Sequence, residues 1–280
     1  MSKRFSTSNS TVCTTGGPIN RRQMQNAKLC PFPKLSSVAS PPAEVSQVND
    51  LSRTFHQISP DSSHMRSKSE IISLLTQSGI IAVVRAQRQD QVVPLSEALV
   101  AGGVIAVEIT LTTPNAIAAI REAKKRLGER ALIGVGTVLD VAACRAAIEA
   151  GAEFVVSPIL RPELVAVAHS ADRPIMLGAY TPTEAQLAHE AGADFVKIFP
   201  ADSLGPNYIR ALRAPLPHLL LVPTGGVDLN TAADFLKAGC AALGVGSSLV
   251  SADILRGNKW EELTRAARAF RETVERAHGR

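Results

Sequence analysis

The sequence predicts an α/β protein, a (β/α)8 TIM barrel carrying a disordered N-terminal extension. Three observations predict it. Short apolar runs alternate strictly with amphipathic helical patterns from Gly79 onward, and eight such runs follow one another. The repeat is roughly 20–26 residues, which suits βα units because strand and helix patterns alternate without exception. Several helical patterns end on Ala-Gly directly before the next apolar run. Eight βα units in about 200 residues describe a compact barrel. A doubly wound open sheet is the alternative, but its glycine fingerprint is missing after the first strand, where Arg85-Ala86-Gln87 stands.

Taken in order, the expected strands cover 80–85, 104–110, 132–136, 154–157, 174–177, 195–199, 219–222 and 242–245. Helical patterns lie between them at 93–101, 115–127, 141–150, 162–169, 182–191, 207–212 and 230–238, and an amphipathic segment at 67–78 precedes the first strand. The pairs Ala101-Gly102, Ala150-Gly151, Ala191-Gly192 and Ala238-Gly239 read as helix ends with a left-handed glycine cap.

Residues 1–65 are different. They are rich in Ser, Thr, Pro and Asn, show no sustained period, and are interrupted by Pro31-Phe32-Pro33 and Pro41-Pro42. The division expected is 1–65 as an extension and 66–280 as the barrel. Three readings of the extension stay open: a flexible tail, a targeting segment, or a start assigned too early, since Met65 directly precedes the first amphipathic segment.

Composition narrows the partners. The chain has 280 residues, 45% apolar and 4% aromatic, which fits a core built from Ala, Val and Leu. Its net charge of +5 arises in the first 69 residues, where nine Lys and Arg face three Asp and Glu. The rest is close to neutral, so no nucleic-acid partner is expected. Four cysteines without CxxC or zinc-like spacing point to reduced thiols and a cytoplasmic location. Six scattered histidines with no HxH or HExxH leave no expected metal and no cofactor. No apolar stretch reaches membrane-spanning length, so no membrane partner is expected either.

Strand parity then picks out candidate site residues. In 104–110 one face carries Val104, Ala106, Glu108 and Thr110, and the other Ile105, Val107 and Ile109. The uniformly bulky set should pack on helices, which turns Glu108 inward. In Asp194-Phe195-Val196-Lys197-Ile198-Phe199-Pro200 the same logic turns Phe195, Lys197 and Phe199 inward. Arg85 shares parity with Ile81 and Val83. Three charges thus converge in a lumen normally filled by branched apolar residues. Burying an ammonium needs a reason. A desolvated lysine near a cation can lose its proton and attack a ketone to form a Schiff base, while the bland alternative is an inert buried ion-pair network.

Two glycine-rich turns add a second element. Pro223-Thr224-Gly225-Gly226-Val227 follows the seventh strand and Gly244-Val245-Gly246-Ser247-Ser248 the eighth. At these positions backbone N–H groups can gather around a phosphate monoester. Gly134-Val135-Gly136-Thr137 is less specific; its glycines relieve crowding and Thr137 is free to bond a carboxylate.

These segments, in this order, resemble the 2-keto-3-deoxy-6-phosphogluconate (KDPG) / 4-hydroxy-2-oxoglutarate (KHG) aldolases. The resemblance runs over residues 70–250, and its most specific element is Lys197-Ile198-Phe199-Pro200-Ala201 combined with Val107-Glu108-Ile109-Thr110. It implies a class I aldolase of the Entner-Doudoroff type, without a metal and usually homotrimeric. The implied substrate is a phosphorylated keto sugar acid, cleaved reversibly to pyruvate and glyceraldehyde 3-phosphate. By position, Lys197 is implied as the Schiff-base lysine and Glu108 as the acid/base. Thr137, Pro158 and Phe199 would line the pyruvate part, and Arg85 would sit near the carboxylate. Thr224, Gly225, Gly226, Gly246 and Ser247 would line the phosphate end. One departure is Thr112, where some members carry arginine, so carboxylate binding rests more on Arg85 and Thr137. Activity on KHG, the galactonate epimer as substrate, an epimerase or decarboxylase on the same barrel, and a noncatalytic sugar-acid-binding barrel stand as alternatives.

Overall fold

The computed structural model describes residues 65–279, so the expected extension lies, apart from Met65, outside the described residues. The eight strands are β1 Ile80–Val84, β2 Ala106–Thr110, β3 Leu132–Gly136, β4 Phe154–Val156, β5 Ile175–Ala179, β6 Phe195–Ile198, β7 Leu221–Pro223 and β8 Leu243–Val245. All pair in parallel, in the order β7-β6-β5-β4-β3-β2-β1-β8. A single bridge, Thr224 to Gly244, joins the two outermost strands, leaving a nearly closed (β/α)8 barrel.

Ten α-helices belong to the described residues: α1 Lys68–Ser78, α2 Val92–Ala101, α3 Ala116–Leu127, α4 Val141–Glu149, α5 Glu163–Ser170, α6 Pro182–Glu190, α7 Gly205–Arg213, α8 Ala232–Lys237, α9 Ala252–Gly257 and α10 Trp260–Ala277. Their starts follow local chemistry. Ser67 and Thr181 form capping boxes with Glu70 and Glu184, and Asp140 and Ser251 accept from the third helical N–H. Helices α9 and α10 lie beyond the segments expected from the repeat. Leu263, Ala267, Phe270 and Val274 of α10 recur at helical spacing and are buried, packing the helix on α2 and α8. Each large member of that set contributes about 1.5–3 kcal/mol by leaving water.

Alternation along the strands divides the core in two. One layer fills the space between strands and helices; the other fills the lumen with Ile81, Ala106, Leu132, Phe154, Val156, Met176, Phe195, Val222 and Ala242. Helix α1 plugs the N-terminal end of the lumen with Ile71 and Leu75. Charged residues standing just before the strands hold it there. Glu153 pairs with Arg66 at 2.8 Å and with Lys124 at 2.9 Å; Asp194 pairs with Lys68 at 3.0 Å; Arg173 donates to the Arg66 carbonyl at 2.8 Å.

Two expectations need correction. Val104 belongs to the outer layer, not the lumen, because its N–H still caps α2 by bonding the Leu99 carbonyl and β2 starts two residues later. Gly102 is not the left-handed residue after α2. Its φ is −88°, and Gly103 takes φ +88° instead. Gly102 is small for another reason: a Cβ there would come within 2.5 Å of Ala267 Cβ and 2.6 Å of the Thr264 carbonyl on α10. The glycines at 151, 192 and 239 do take positive φ.

Candidate active site

At the C-terminal ends of the strands the barrel opens into a cavity of about 550 Å³. All eleven residues singled out from the sequence line it: Arg85, Glu108, Thr137, Pro158, Lys197, Phe199, Thr224, Gly225, Gly226, Gly246 and Ser247. The floor is the pair Lys197 and Glu108. Val196 and Ile198 belong to the outer layer, so β6 turns Lys197 into the lumen, and β2 does the same for Glu108 between Val107 and Ile109. Their Nζ and Oε1 atoms stand 3.4 Å apart, with the two residues 5% and 3% exposed. Phe199 lies over the ammonium, its ring centroid 5.6 Å from Nζ, within cation–π range.

Arg85 departs from expectation. It lines the cavity but is exposed at the rim, rather than forming a buried triad with Lys197 and Glu108. β1 ends at Val84, and parity stops directing a side chain once the chain leaves the sheet. Val83 is the last residue that β1 turns into the cavity.

Thr137 follows β3 with φ +61°, a left-handed conformation that a β-branched residue rarely adopts. Such a backbone costs on the order of 1–3 kcal/mol and persists where its surroundings impose it. Here the next N–H, that of Val138, bonds the Val156 carbonyl at 3.1 Å and holds the turn against β4.

The two glycine turns stand side by side at the mouth, following the two strands that the Thr224–Gly244 bridge joins. Gly225 and Gly226 take φ +92° and +68°. Ser248 Oγ donates to the Val227 carbonyl at 2.7 Å, tying the turn after β8 to the turn after β7. Among the described residues, no backbone hydrogen bond outside the strand ladders engages the N–H groups of Gly226, Ser247 or Ser248. Unpaired donors gathered in a concavity suit an anion.

The cavity also includes residues that sequence reasoning passed over. Thr110 shares the parity of Glu108 and was within reach of the same argument. Gln87 sits in the loop after β1, and Ala252 and Leu255 lie on α9, a helix outside the eightfold repeat. Among the described residues, no group of three or more His, Cys, Asp or Glu side chains is placed to hold a metal ion, and no helix is long and apolar enough to cross a membrane.

A buried lysine beside a carboxylate at the floor of a (β/α)8 barrel's cavity, under an anion-ready rim, is the arrangement that a class I, Schiff-base aldolase requires. Residues 71–266 match the family described as KDPG and KHG aldolase. The 2-dehydro-3-deoxy-phosphogluconate aldolase of Pseudomonas aeruginosa is 36% identical over 210 residues, covering 74% of this chain and 92% of that protein. The 2-dehydro-3-deoxy-6-phosphogalactonate aldolase of Escherichia coli is 35% identical over 201 residues, covering 71% and 98%. A KDPG aldolase structure from Legionella pneumophila, with pyruvate captured as a covalent carbinolamine, aligns with a TM-score of 0.66 at 28% identity over 71% of this chain and 97% of that one. The chain belongs to the KDPG/KHG aldolase family, and is a class I aldolase.

Proposed function

We propose that the chain reversibly cleaves 2-keto-3-deoxy-6-phosphogluconate to pyruvate and glyceraldehyde 3-phosphate. The observation that carries this reading is the Lys197–Glu108 pair, 3.4 Å apart at the floor of a cavity rimmed by unpaired backbone donors. The Lys197 amine attacks the C2 ketone, and loss of water from the carbinolamine gives an iminium. Glu108 removes the C4 hydroxyl proton through a water, the C3–C4 bond breaks, and its electron pair moves onto the iminium nitrogen as an enamine. C4 leaves as the aldehyde. Glu108 then returns its proton to C3, and hydrolysis of the iminium frees pyruvate. Arg85 and Thr137 serve the carboxylate, Pro158 and Phe199 the pyruvate part. Thr224, Gly225, Gly226, Gly246 and Ser247 serve the phosphate end.

The two epimer-specific relatives are nearly equal in identity, so the galactonate epimer is the second reading, decided by assaying both C4 epimers side by side. Cleavage of KHG to pyruvate and glyoxylate uses the same floor and leaves the rim empty. A homotrimer is supported by the family resemblance. Leu139, Ile159 and Tyr180, exposed on successive loops after β3, β4 and β5, offer apolar surface for a second copy. A cytoplasmic location is supported by the free thiols of Cys144 and Cys240.

The experiment is to incubate the protein with pyruvate and borohydride and map the added mass. The adduct should sit on Lys197, and Lys197→Arg should keep the cation but form no adduct and show no turnover. Cleavage by Lys197→Arg near the wild-type rate would remove the mechanism.

A further inference from the structure

Glu108 occupies the volume that a side chain at Gly136 would fill. β2 and β3 pair with Glu108 opposite Gly134 and Thr110 opposite Gly136. A Cβ on Gly136 would lie 2.0 Å from Glu108 Oε1 and 2.6 Å from both its Cδ and Cγ. No small adjustment relieves such an overlap, because the atoms struck form the body of a buried carboxylate. Two residues earlier, a Cβ on Gly134 would lie 2.3 Å from two atoms of the Phe154 ring. The lumen face of β3 is therefore notched twice. The lower notch takes an aromatic ring from β4, and the upper one takes a carboxylate from β2.

Hydrogen bonding does not account for the position of that carboxylate. Among the described residues its one hydrogen bond comes from Lys197 at 3.4 Å, which is long for a charge-assisted contact. What confines Glu108 is shape. Nor does Gly136 serve an unusual backbone conformation: it is not among the glycines with positive φ, so alanine fits its main chain. The requirement is for empty volume.

On the aldolase reading above, we propose that Gly136 is a positioning residue, whose missing side chain forms the slot that aims Glu108 at Lys197 and the reacting carbons. Displacing a catalytic group by about an ångström costs up to about a hundredfold in rate. Gly136→Ala should therefore lower kcat for cleavage by about that factor while leaving KM little changed. Pyruvate should still be trapped on Lys197 by borohydride, because the lysine stays in place.

The decisive arm is the coupling between positions 136 and 108. In Glu108→Ala the slot is vacant, so adding Gly136→Ala should cost no further melting temperature, whereas in the wild-type background the same change should lower it. Wild-type turnover by Gly136→Ala would overturn the proposal. So would a loss of melting temperature of equal size in both backgrounds, which would place the constraint elsewhere. If Gly136→Ala alone does not fold, recovery of folding in the double variant supports the slot and failure to recover overturns it. This arm does not depend on the chemistry. If the wild-type protein formed no pyruvate adduct, the aldolase reading would fall while the coupling still tested the slot.

Discussion

The side chain of Arg85 is tied to Thr112: Arg85 Nε donates to Thr112 Oγ1 at 3.2 Å. Thr112 Oγ1 stands 2.8 Å from Thr110 Oγ1, which in turn bonds the Val84 carbonyl at 3.0 Å. An arginine Nε can only donate and a carbonyl can only accept, so the proton order is fixed. Arg85 donates to Thr112, Thr112 to Thr110, and Thr110 to Val84. Position 112 is the one departure from the resemblance described above. The threonine there holds the arginine that follows the neighbouring strand β1.

From this relay the first prediction concerns Thr112→Val, which keeps shape and removes the acceptor. Arg85 should lose its orientation and the keto acid should bind more weakly. The loss of about one hydrogen bond, about 1 kcal/mol, corresponds to a KM raised about fivefold with kcat nearly constant. Steady-state kinetics with both parameters resolved checks it, and an unchanged KM would detach Arg85 from substrate binding.

The second prediction concerns two thiols. Burial pushes the Cys144 thiol up to about 11 and the Cys240 thiol up to about 12, with Arg145 and Arg213 only partly opposing the shift. Both are therefore neutral thiols at pH 7, and the thiolate is the reactive form. Peptide mapping after brief alkylation of the native protein should find both unmodified, and both modified once the chain is unfolded. Rapid native labelling of either would show that its helix layer opens.

Much of the site was legible because strand parity is strict. Given the strand boundaries, Glu108 and Lys197 could point only inward once their neighbours Val107, Ile109, Val196 and Ile198 were recognised as the helix-facing set. The same rule misplaced Arg85, since β1 ends one residue earlier and parity has no hold beyond the sheet. Other features rest on contacts between distant parts of the chain. Gly102 is small because α10 crosses it, and α10 lies outside the repeat that revealed the fold. The plug at the barrel's N-terminal end depends on Arg66 meeting Glu153 and Lys68 meeting Asp194, pairings that local spacing does not reveal. The role of Gly136 is of the same kind: a glycine on one strand is explained by a carboxylate on another.

The third prediction tests that plug. Glu153 is buried and receives Arg66, Lys124 and the Ile133 N–H. Glu153→Ala removes the carboxylate these donors share; Lys124, 30% exposed, can turn to water, and Arg66 keeps only the carbonyls of Ala131 and Glu129. The cost should be about 3 kcal/mol, near the low end for breaking a buried pair. At about 2–4 °C per kcal/mol for a domain of this size, the melting temperature should fall by about 10 °C. Glu153 stands at the end of the barrel opposite the cavity, so kcat per folded molecule should be unchanged. A stable variant with impaired kcat would give this cluster a part in the chemistry.

The fourth prediction concerns the phosphate end, where the choice of glycine matters. Gly226 is a poor place to probe: its φ is +68°, and a Cβ would fall 2.5 Å from Asp202 Cα, so any substituent disturbs the backbone itself. Gly246 is open: nothing lies within 4 Å of the point where a Cβ would stand, and its φ is not positive. Gly246→Asp therefore adds a negative charge to the rim at little structural cost. Facing a phosphate dianion at close range, that charge should oppose binding by about 2 kcal/mol, or about thirtyfold. If phosphate binding also orients the reacting carbons, kcat should fall along with affinity. KHG has no phosphate to place, so its cleavage should be affected much less. Both substrates can be followed on one preparation by coupling pyruvate release to NADH oxidation, which controls for misfolding. An equal loss on the two would mean that the turn after β8 serves the Schiff-base floor or the fold, and the phosphate assignment would have to be withdrawn.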